Sequence, residues 1–456
     1  MTAPMVEREL IALRTGDTFY RRIISRCTPS VRQIAVLLII GMACVSCGGQ
    51  SPTKEWTDSK QKAVGGVVAD EPKAALIGYD ILSAGGNSID AIVAMYFTLS
   101  ATYPGAASLG GGGVCVLHQG EGGEVAAIDF QPSLYYSGAN AALIPGAVRG
   151  MFALHTRYGR LRWEKLLLPA ERLARFGNPV ARAAAQNLAR LPASEFTDPD
   201  LRRIFTKAGR PLTEGQTLRQ VSLADTLSRI RLHGPHDFYT GDLAKSLAVG
   251  LGRAVGFRVP VSALKSYRPK WLKPEVANFH RDQIYFPGGP VGRRGVALWR
   301  TAGKFKKLDA GATNNGDSVG FVAIDADGGA VACVVSSNGV FGARRMIGAT
   351  GILMAALPGG NTLSGMPFIL VSKKLSDTKG AVTGAGGSNA VVRAIVVAAR
   401  GLRERINLET VFKTMPSDMG GRVNLIRCPE GARNKLLKCR YASDPAGYGL
   451  AASSAN

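Results

Sequence analysis

Two β-rich runs joined by a short turn constrain the fold of this chain more than any other feature. Residues 320–325 and 330–335 are largely apolar and rich in Val, Ile, Phe and Ala. The connecting Ala326-Asp327-Gly328-Gly329 supplies residues that favour a tight turn. This pattern predicts a β-hairpin, and similar apolar runs predict further strands over 63–69, 114–118, 124–130, 368–372 and 380–383.

Helical periodicity alternates with these strands along the chain. It predicts helices over 72–84, 88–101 and 390–400, and a largely helical region over 145–232. Gly85-Gly86-Asn87 ends the first helix, and Ser88 is expected to cap the second. Residues 288–316, rich in Gly, Lys and Arg, are expected to form an exposed linker. Strands and helices in both halves predict an α/β (α+β) fold with sheets covered by helices.

Size and composition are compatible with a large buried core and exclude several classes of protein. The chain has 456 residues, of which 46% are hydrophobic, too many for a disordered chain. The net charge of +23 favours anionic partners. The Lys and Arg residues are spread out, however, and no basic run carries interleaved aromatics, so no nucleic-acid partner is predicted. No metal site and no cofactor is indicated, because the chain beyond the predicted signal lacks CxxC pairs and His-rich clusters.

The N-terminal part resembles an export signal. Four arginines (Arg21, Arg22, Arg26, Arg32) precede the apolar run 34–43, and small residues and cysteines follow. A positive flank, a short apolar core and a small-residue exit are typical of secretion signals. Residues 1–47 are therefore predicted to direct export to the periplasm or cell envelope, with Cys47 as a lipid-attachment site that holds the protein to a membrane. A cleaved signal and a short membrane anchor are the alternatives. Residues 48–62 are predicted to form a polar tether.

Four cysteines follow the predicted signal. Cys115 and Cys333 lie in apolar strand-like runs and are interpreted as buried small hydrophobic residues. Cys428 and Cys439 flank a polar loop and can pair in an oxidising compartment, although spacing alone does not decide that bond.

A serine between two glycines is the main candidate for chemistry. Gly316-Asp317-Ser318-Val319-Gly320 matches the G-x-S-x-G pattern of serine hydrolases, but a linker precedes it and a hairpin follows, whereas the nucleophile elbow needs a strand and then a helix. All five histidines lie upstream, which excludes the elbow order. A chain cut before Ser318 would instead use the new α-amine, whose ordinary pKa is about 8, as the base for its own hydroxyl. The alternative interpretation is that Ser318 is an ordinary turn residue.

Several sequence blocks resemble the gamma-glutamyltranspeptidase family. Gly110 to Gly113 match a glycine stretch of this family. They open a strand rather than a helix, which excludes a dinucleotide-binding site. The other matching blocks are 65–69, 84–91, 144–150, 158–163, 234–235 and 238–241.

The resemblance implies a four-layer αββα sandwich of the N-terminal-nucleophile hydrolase type. It also implies self-cleavage into a large-subunit region, 63–317, and a small-subunit region, 318–456. The family nucleophile falls on Ser318, and the hydroxyl that supports it falls on Ser336. The oxyanion glycines fall on Gly386 and Gly387, and substrate contacts fall on Asn338 and Ser364. The substrate would be a γ-glutamyl compound or another amide.

Departures from the family pattern concern substrate recognition. The arginine that grips the substrate carboxylate is replaced by Gln131, which exchanges a charged bidentate clamp for a neutral amide. No acid follows Gly351-Ile352-Leu353, and Gly365 replaces the second serine of a pair. Two hypotheses follow. The chain is a self-processing amidase or transferase, or it is a non-catalytic exported relative that serves as a binding or envelope protein.

Overall fold

The structure, a computed structural model, describes residues 63–454 except 121, 302–316, 359–364, 388, 404–406, 416–419 and 434. These residues belong to one unit, Lys62–Asn456. The predicted export segment with Cys47, the tether 48–62 and the predicted substrate contact Ser364 lie outside the described residues.

Two antiparallel sheets dominate this unit; their strands, and those of a separate two-stranded sheet formed by residues 133–137 and 140–144, are numbered here in chain order. They are β1 (Gly65–Ala69), β2 (Gly112–His118), β3 (Val125–Asp129), β4 (Ser133–Ser137), β5 (Asn140–Ile144), β6 (Lys270–Leu272), β7 (Glu275–Phe279), β8 (Asp282–Phe286), β9 (Ser318–Asp325), β10 (Ala330–Ser336), β11 (Met366–Ser372), β12 (Thr378–Ala385), β13 (Arg422–Arg427), β14 (Arg440–Ser443) and β15 (Leu450–Ser453). The first sheet has the order β6-β3-β2-β10-β9-β1-β15, and the second has the order β7-β8-β11-β12-β13-β14.

The helices pack on the outer faces of the two sheets. They are α1 (Pro72–Ser83), α2 (Ser88–Thr102), α3 (Ala147–Tyr158), α4 (Trp163–Phe176), α5 (Arg182–Ala189), α6 (Pro199–Phe205), α7 (Val221–Tyr239), α8 (Asp242–Val255), α9 (Val261–Ser266), α10 (Gly289–Thr301), α11 (Ala390–Arg403) and α12 (Leu408–Lys413).

Three separate apolar cores define four layers. One core lies between the first sheet and the helices from α1 to α9. A second lies between the second sheet and α10 to α12. The third is shared by the two sheets, where Val322 and Ile324 of β9 join Ala381 of β12. The helix–sheet–sheet–helix order confirms the predicted αββα sandwich.

The predicted hairpin is present as β9 and β10, with a turn that side chains hold in place. Asp325 is buried, and its carboxylate accepts hydrogen bonds from the amides of Ser88, Asp327 and Gly329. Gly328 has a φ of +78°, a conformation that favours glycine. Asp325 therefore stabilises the turn and also connects the hairpin to the start of α2.

The break between the first two helices lies where it was predicted, but the capping residue is different. Asn87, rather than Ser88, caps α2: its side chain accepts from the Asp90 amide, and Asp90 accepts from the Asn87 amide. This reciprocal capping box satisfies two backbone donors at once.

The prediction of an exposed linker over 288–316 is wrong for its first half. Residues 289–301 form α10, and Trp299 on this helix is buried. At Gly295, a Cβ atom would lie 2.6 Å from Met366 and from Phe286. The glycines that suggested a linker instead let the helix approach the second sheet. Residues 302–316 lie outside the described part of the chain.

The interpretation of Cys115 and Cys333 as simple hydrophobic residues is also wrong. Both are fully buried, but they face each other across β2 and β10 and form a disulfide. Cys428 and Cys439 form a second disulfide, which settles the pairing that spacing had left open. A cross-strand pair could not be read from two runs more than two hundred residues apart, because strand neighbours are set by the sheet order.

Candidate active site

Ser318 is the first residue of β9, and it lies between the two sheets. Its side chain is on the same strand face as Gly320 and Val322, because side chains alternate along a strand, and this face packs on the second sheet. The residue is completely buried. The hydroxyl is therefore directed into the sandwich rather than toward solvent.

Gly386 provides a backbone donor to the Ser318 hydroxyl. Its amide donates a hydrogen bond to Ser318 Oγ at 2.8 Å. Gly386 follows directly after β12 and has a φ of +77°, and a Cβ atom there would lie 2.5 Å from the guanidinium of Arg422. The neighbouring Gly387 packs against the backbone of Gly421. Gly386 requires glycine because of its positive φ and the adjacent guanidinium, and Gly387 requires it because another backbone segment lies against it.

Ser336 faces Ser318 directly across the hairpin. Its hydroxyl donates to the carbonyl oxygen of Asp317 at 2.6 Å. That carbonyl belongs to the peptide bond between Asp317 and Ser318. The amide of Asn338 in turn donates to Ser336 Oγ at 2.8 Å, so the orientation of this hydroxyl is fixed from both sides.

The predicted substrate residues lie along the same edge of the first sheet. The Asn338 side chain donates to the carbonyl of Ala356 at 3.1 Å, and Asn338 has a φ of +60°. Gly112 of β2 pairs with Ser336, and Gln131 follows two residues after the end of β3. Gln131 is half-buried, and its carbonyl accepts from the hydroxyl of Tyr267. The structure thus brings Ser318, Ser336, Asn338, Gly386 and Gly387 together, and it places the backbone of Gln131 beside Gly112, the strand partner of Ser336.

Two charged residues next to Ser318 were missed by the sequence analysis. Arg422, at the start of β13, donates from Nη2 to the carbonyl oxygen of Ser318 at 3.1 Å. Its Nε lies 3.3 Å from Asp70 Oδ2, and both side chains are almost completely buried. Asp70 Oδ2 also accepts from the amide of Gly320 at 3.0 Å. In the sequence, the only indication of a role for Asp70 and Arg422 was that each is a charged residue next to an apolar strand.

This buried pair has further polar support. Asn424 donates from one side-chain nitrogen to Asp70 and to the carbonyl of Gly320. Burial works against the charge on Arg422, but nearby Tyr103 and Asp70 outweigh it, so the pKa of the guanidinium lies above its ordinary value. Arg422 therefore stays protonated and holds the carbonyl of Ser318 directly and the amide of Gly320 through Asp70.

Candidate metal clusters and membrane-spanning helices are both absent from the described residues. Within them, no group of three or more His, Cys, Asp and Glu side chains could hold a metal ion. No helix in the described part of the chain is long and apolar enough to cross a bilayer.

The four-layer αββα sandwich is the fold type of the N-terminal-nucleophile hydrolases. The cephalosporin acylase from Bacillus halodurans has this architecture: its structure aligns with a TM-score of 0.71 over 86% of this chain and 96% of its own, at 20% identity. At that identity the likeness shows the fold alone.

Sequence comparison then identifies the family. The family profile described as Gamma-glutamyltranspeptidase matches residues 74–300. A glutathione hydrolase proenzyme of Escherichia coli (strain K12) is 28% identical over 284 residues, covering 56% of this chain and 49% of its own. The corresponding proenzyme of Bacillus subtilis (strain 168) is 30% identical over 239 residues, covering 47% of this chain and 40% of its own. The chain belongs to the gamma-glutamyltranspeptidase family.

Coverage by these relatives is partial. The chain spans about half, or less, of the length of the curated relatives described above. The match to the family profile ends before Ser318, so the residues assigned a role between 318 and 456 rest on local motifs and on the geometry described above.

Proposed function

We propose that this protein cleaves its own chain before Ser318 and then hydrolyses or transfers amide-linked acyl groups through an ester on Ser318. One arrangement carries the proposal. The Ser336 hydroxyl bonds the carbonyl of the peptide bond to be cut, while the Gly386 amide bonds the hydroxyl that would attack it. The word proenzyme in the names of the bacterial relatives agrees with a processed precursor.

Self-cleavage would begin with attack of Ser318 Oγ on the carbonyl carbon of Asp317. The negative charge that develops on the Asp317 oxygen is stabilised by the Ser336 hydroxyl. The bond from Asp317 carbon to Ser318 nitrogen then breaks, and the nitrogen takes up the proton that the hydroxyl loses. The resulting ester is hydrolysed by water, which leaves a carboxylate on Asp317 and a free α-amine and hydroxyl on Ser318.

The mature site would use the same groups on an external substrate. The new α-amine accepts the proton of Ser318 Oγ as the oxygen attacks the substrate amide carbon. The backbone amides of Gly386 and Gly387 face the oxyanion, and the leaving amine receives the proton. Water or an acceptor amine then releases the acyl group from Ser318.

The substrate is proposed to be a γ-glutamyl compound or a related amide. Support comes from the family and from the names of the relatives, which are glutathione hydrolases. Asn338 and Ser364 would contact the substrate. Gln131 in place of an arginine implies weaker binding of a carboxylate than a charged clamp gives.

The proposal includes the division of the chain and its location. Residues 63–317 would form the large subunit and 318–456 the small one. Residues 1–47 would direct export to the periplasm or envelope, with lipid attachment at Cys47. Two disulfides support an oxidising compartment, where such bonds persist.

Intact-mass measurement and N-terminal sequencing of the purified protein test this function. We expect two fragments after reduction, the smaller one beginning at Ser318. Ser318→Ala should remain uncut, and Ser318→Thr should be cut because it keeps the hydroxyl. A wild-type chain that stays whole, like Ser318→Ala, would contradict the proposal and favour the non-catalytic hypothesis.

A further inference from the structure

A disulfide joins the two parts of the chain that lie on either side of the proposed cleavage site. Cys115 is in β2, within residues 63–317, and Cys333 is in β10, within residues 318–456. The two residues are direct partners in the antiparallel pairing of these strands, 218 positions apart in sequence. The peptide bond before Ser318 lies between them in the chain.

We propose that the Cys115–Cys333 bond makes the mature protein a covalently joined two-chain molecule. The inference rests on the proposed self-cleavage for the existence of two chains, but the bond itself does not depend on it. Once the peptide bond before Ser318 is cut, this disulfide remains as a covalent connection between the fragments.

The sheet topology explains what the bond adds. Both fragments contribute neighbouring strands to the first sheet, in which β9 pairs with β1 and β10 pairs with β2. The fragments are therefore held together without covalent bonds while the protein is folded. When the sheet unfolds, chains without a cross-link separate, and their reassociation depends on concentration. With the cross-link, refolding remains intramolecular.

Burial protects the bond in the folded protein. Cys115 and Cys333 are both completely buried. Thiol–disulfide exchange needs direct access of the attacking thiolate to a sulfur atom. The folded protein should therefore keep this disulfide intact in a reductant that breaks it after denaturation.

The second disulfide supplies a matched control. Cys428 and Cys439 are 11 positions apart, and both lie on the C-terminal side of Ser318. Their removal should leave the fragments joined. The Cys115→Ala/Cys333→Ala variant should release them.

Denaturing electrophoresis with and without reductant tests the proposal. Free thiols are first alkylated in denaturant at low pH, which prevents exchange with Cys27, Cys44 or Cys47. We expect one full-length band without reductant and two bands with it. The Cys115→Ala/Cys333→Ala variant should give two bands in both lanes, and the Cys428→Ala/Cys439→Ala variant should behave like wild type. Two bands from unreduced wild type would overturn the proposal.

A second experiment tests whether the Cys115–Cys333 disulfide is present even if the protein does not cut itself. A specific protease site is inserted within residues 302–316 of the Ser318→Ala variant, and the protein is cut there. We expect the unreduced fragments to stay joined in denaturant, with an unfolding temperature that does not change over about a hundredfold dilution. Separation of the fragments would refute the cross-link. A single band in reduced wild type would instead refute self-cleavage alone.

Discussion

Arg422 and Ser318 are connected through the backbone: Arg422 Nη2 donates to the carbonyl oxygen of Ser318 at 3.1 Å, although 104 positions separate them. The same guanidinium packs on Gly386, whose amide donates to the Ser318 hydroxyl. One buried cation thus contacts both the strand that carries the serine and the loop that carries the proposed oxyanion donor.

Breaking the buried ion pair should strongly destabilise the protein. Arg422→Met leaves Asp70 charged and buried without its cation, and such changes cost about 3–5 kcal/mol. The measurement is urea unfolding in the Ser318→Ala background, so that all variants remain uncut. Lys245→Met removes one partner of an exposed ion pair with Asp242, and it should cost less than about 1 kcal/mol. Equal decreases in unfolding free energy in the two variants would show that the buried ion pair contributes no more to stability than the exposed one.

Removal of the Ser336 hydroxyl should slow self-cleavage. Oxyanion donors typically contribute about 10²–10³-fold to rate, and Ser336→Ala should lose a factor in that range, followed as the loss of full-length chain after translation. The adjacent Ser337 is also buried, and its hydroxyl has no hydrogen-bond partner among the described residues. Ser337→Ala is therefore the control and should be cut at the wild-type rate. Normal cleavage of Ser336→Ala would remove Ser336 from the mechanism.

A side chain at Gly386 should displace the oxyanion loop. Gly386→Ala forces a Cβ atom onto the Arg422 guanidinium at a positive φ, and turnover of a γ-glutamyl anilide should fall at least about tenfold. Gly85 also has a positive φ, +88°, but a Cβ atom there meets nothing within 4 Å. Gly85→Ala carries the same kind of backbone strain and should keep full turnover. If both variants lose turnover equally, strain rather than the site accounts for the effect.

Restoring a cation at position 131 should improve recognition of a carboxylate. Gln131→Arg is expected to lower the KM for a γ-glutamyl anilide, because an arginine can bind the α-carboxylate with two charge-assisted hydrogen bonds. Gln131→Met, which also lacks a charge, serves as the control for side-chain size and should not lower it. An unchanged KM in Gln131→Arg would argue against a carboxylate at this position.

Burial of His118 should make the protein less stable in mild acid. Burial lowers the pKa of His118 to about 4, and Asp377 only partly opposes this shift. Between about pH 6.5, the ordinary histidine value, and pH 4, the unfolded chain therefore binds a proton that the folded protein refuses. The unfolding free energy should fall over this range as the pH falls.

The His118 contribution can be separated by substitution. Thr378 donates its hydroxyl hydrogen to Gly328, so the His118 Nδ1 must donate to Thr378 Oγ1. His118→Gln can keep that donor without titrating. Urea unfolding at a series of pH values should show a shallower pH slope for His118→Gln, by at most about 1.4 kcal/mol per pH unit. If the unfolding free energies of wild type and His118→Gln changed equally with pH, the pKa of His118 would be the same in the folded and unfolded protein.

The parts of the fold that depend on local chemistry were predictable from the sequence. The β9–β10 hairpin was predicted because the strand runs and the turn residues around Gly328 are adjacent in the chain. Residues 289–301 were wrongly predicted to be an exposed linker because glycines weaken an isolated helix. In the folded protein, the glycine at position 295 instead allows the helix to pack closely against Phe286. Only the packing partner distinguishes those cases.

The sequence by itself determined the sandwich class and the family, and it provided Ser318 and Gly386 as the candidate site residues, because each follows from patterns contained in short continuous segments. Tertiary structure alone decided that the Asp70–Arg422 pair lies beside that serine and that Cys115 and Cys333 are bonded across the first sheet. The physical reason is that strand order and sheet-on-sheet packing set these contacts, and neither leaves a periodic signal at the residues concerned.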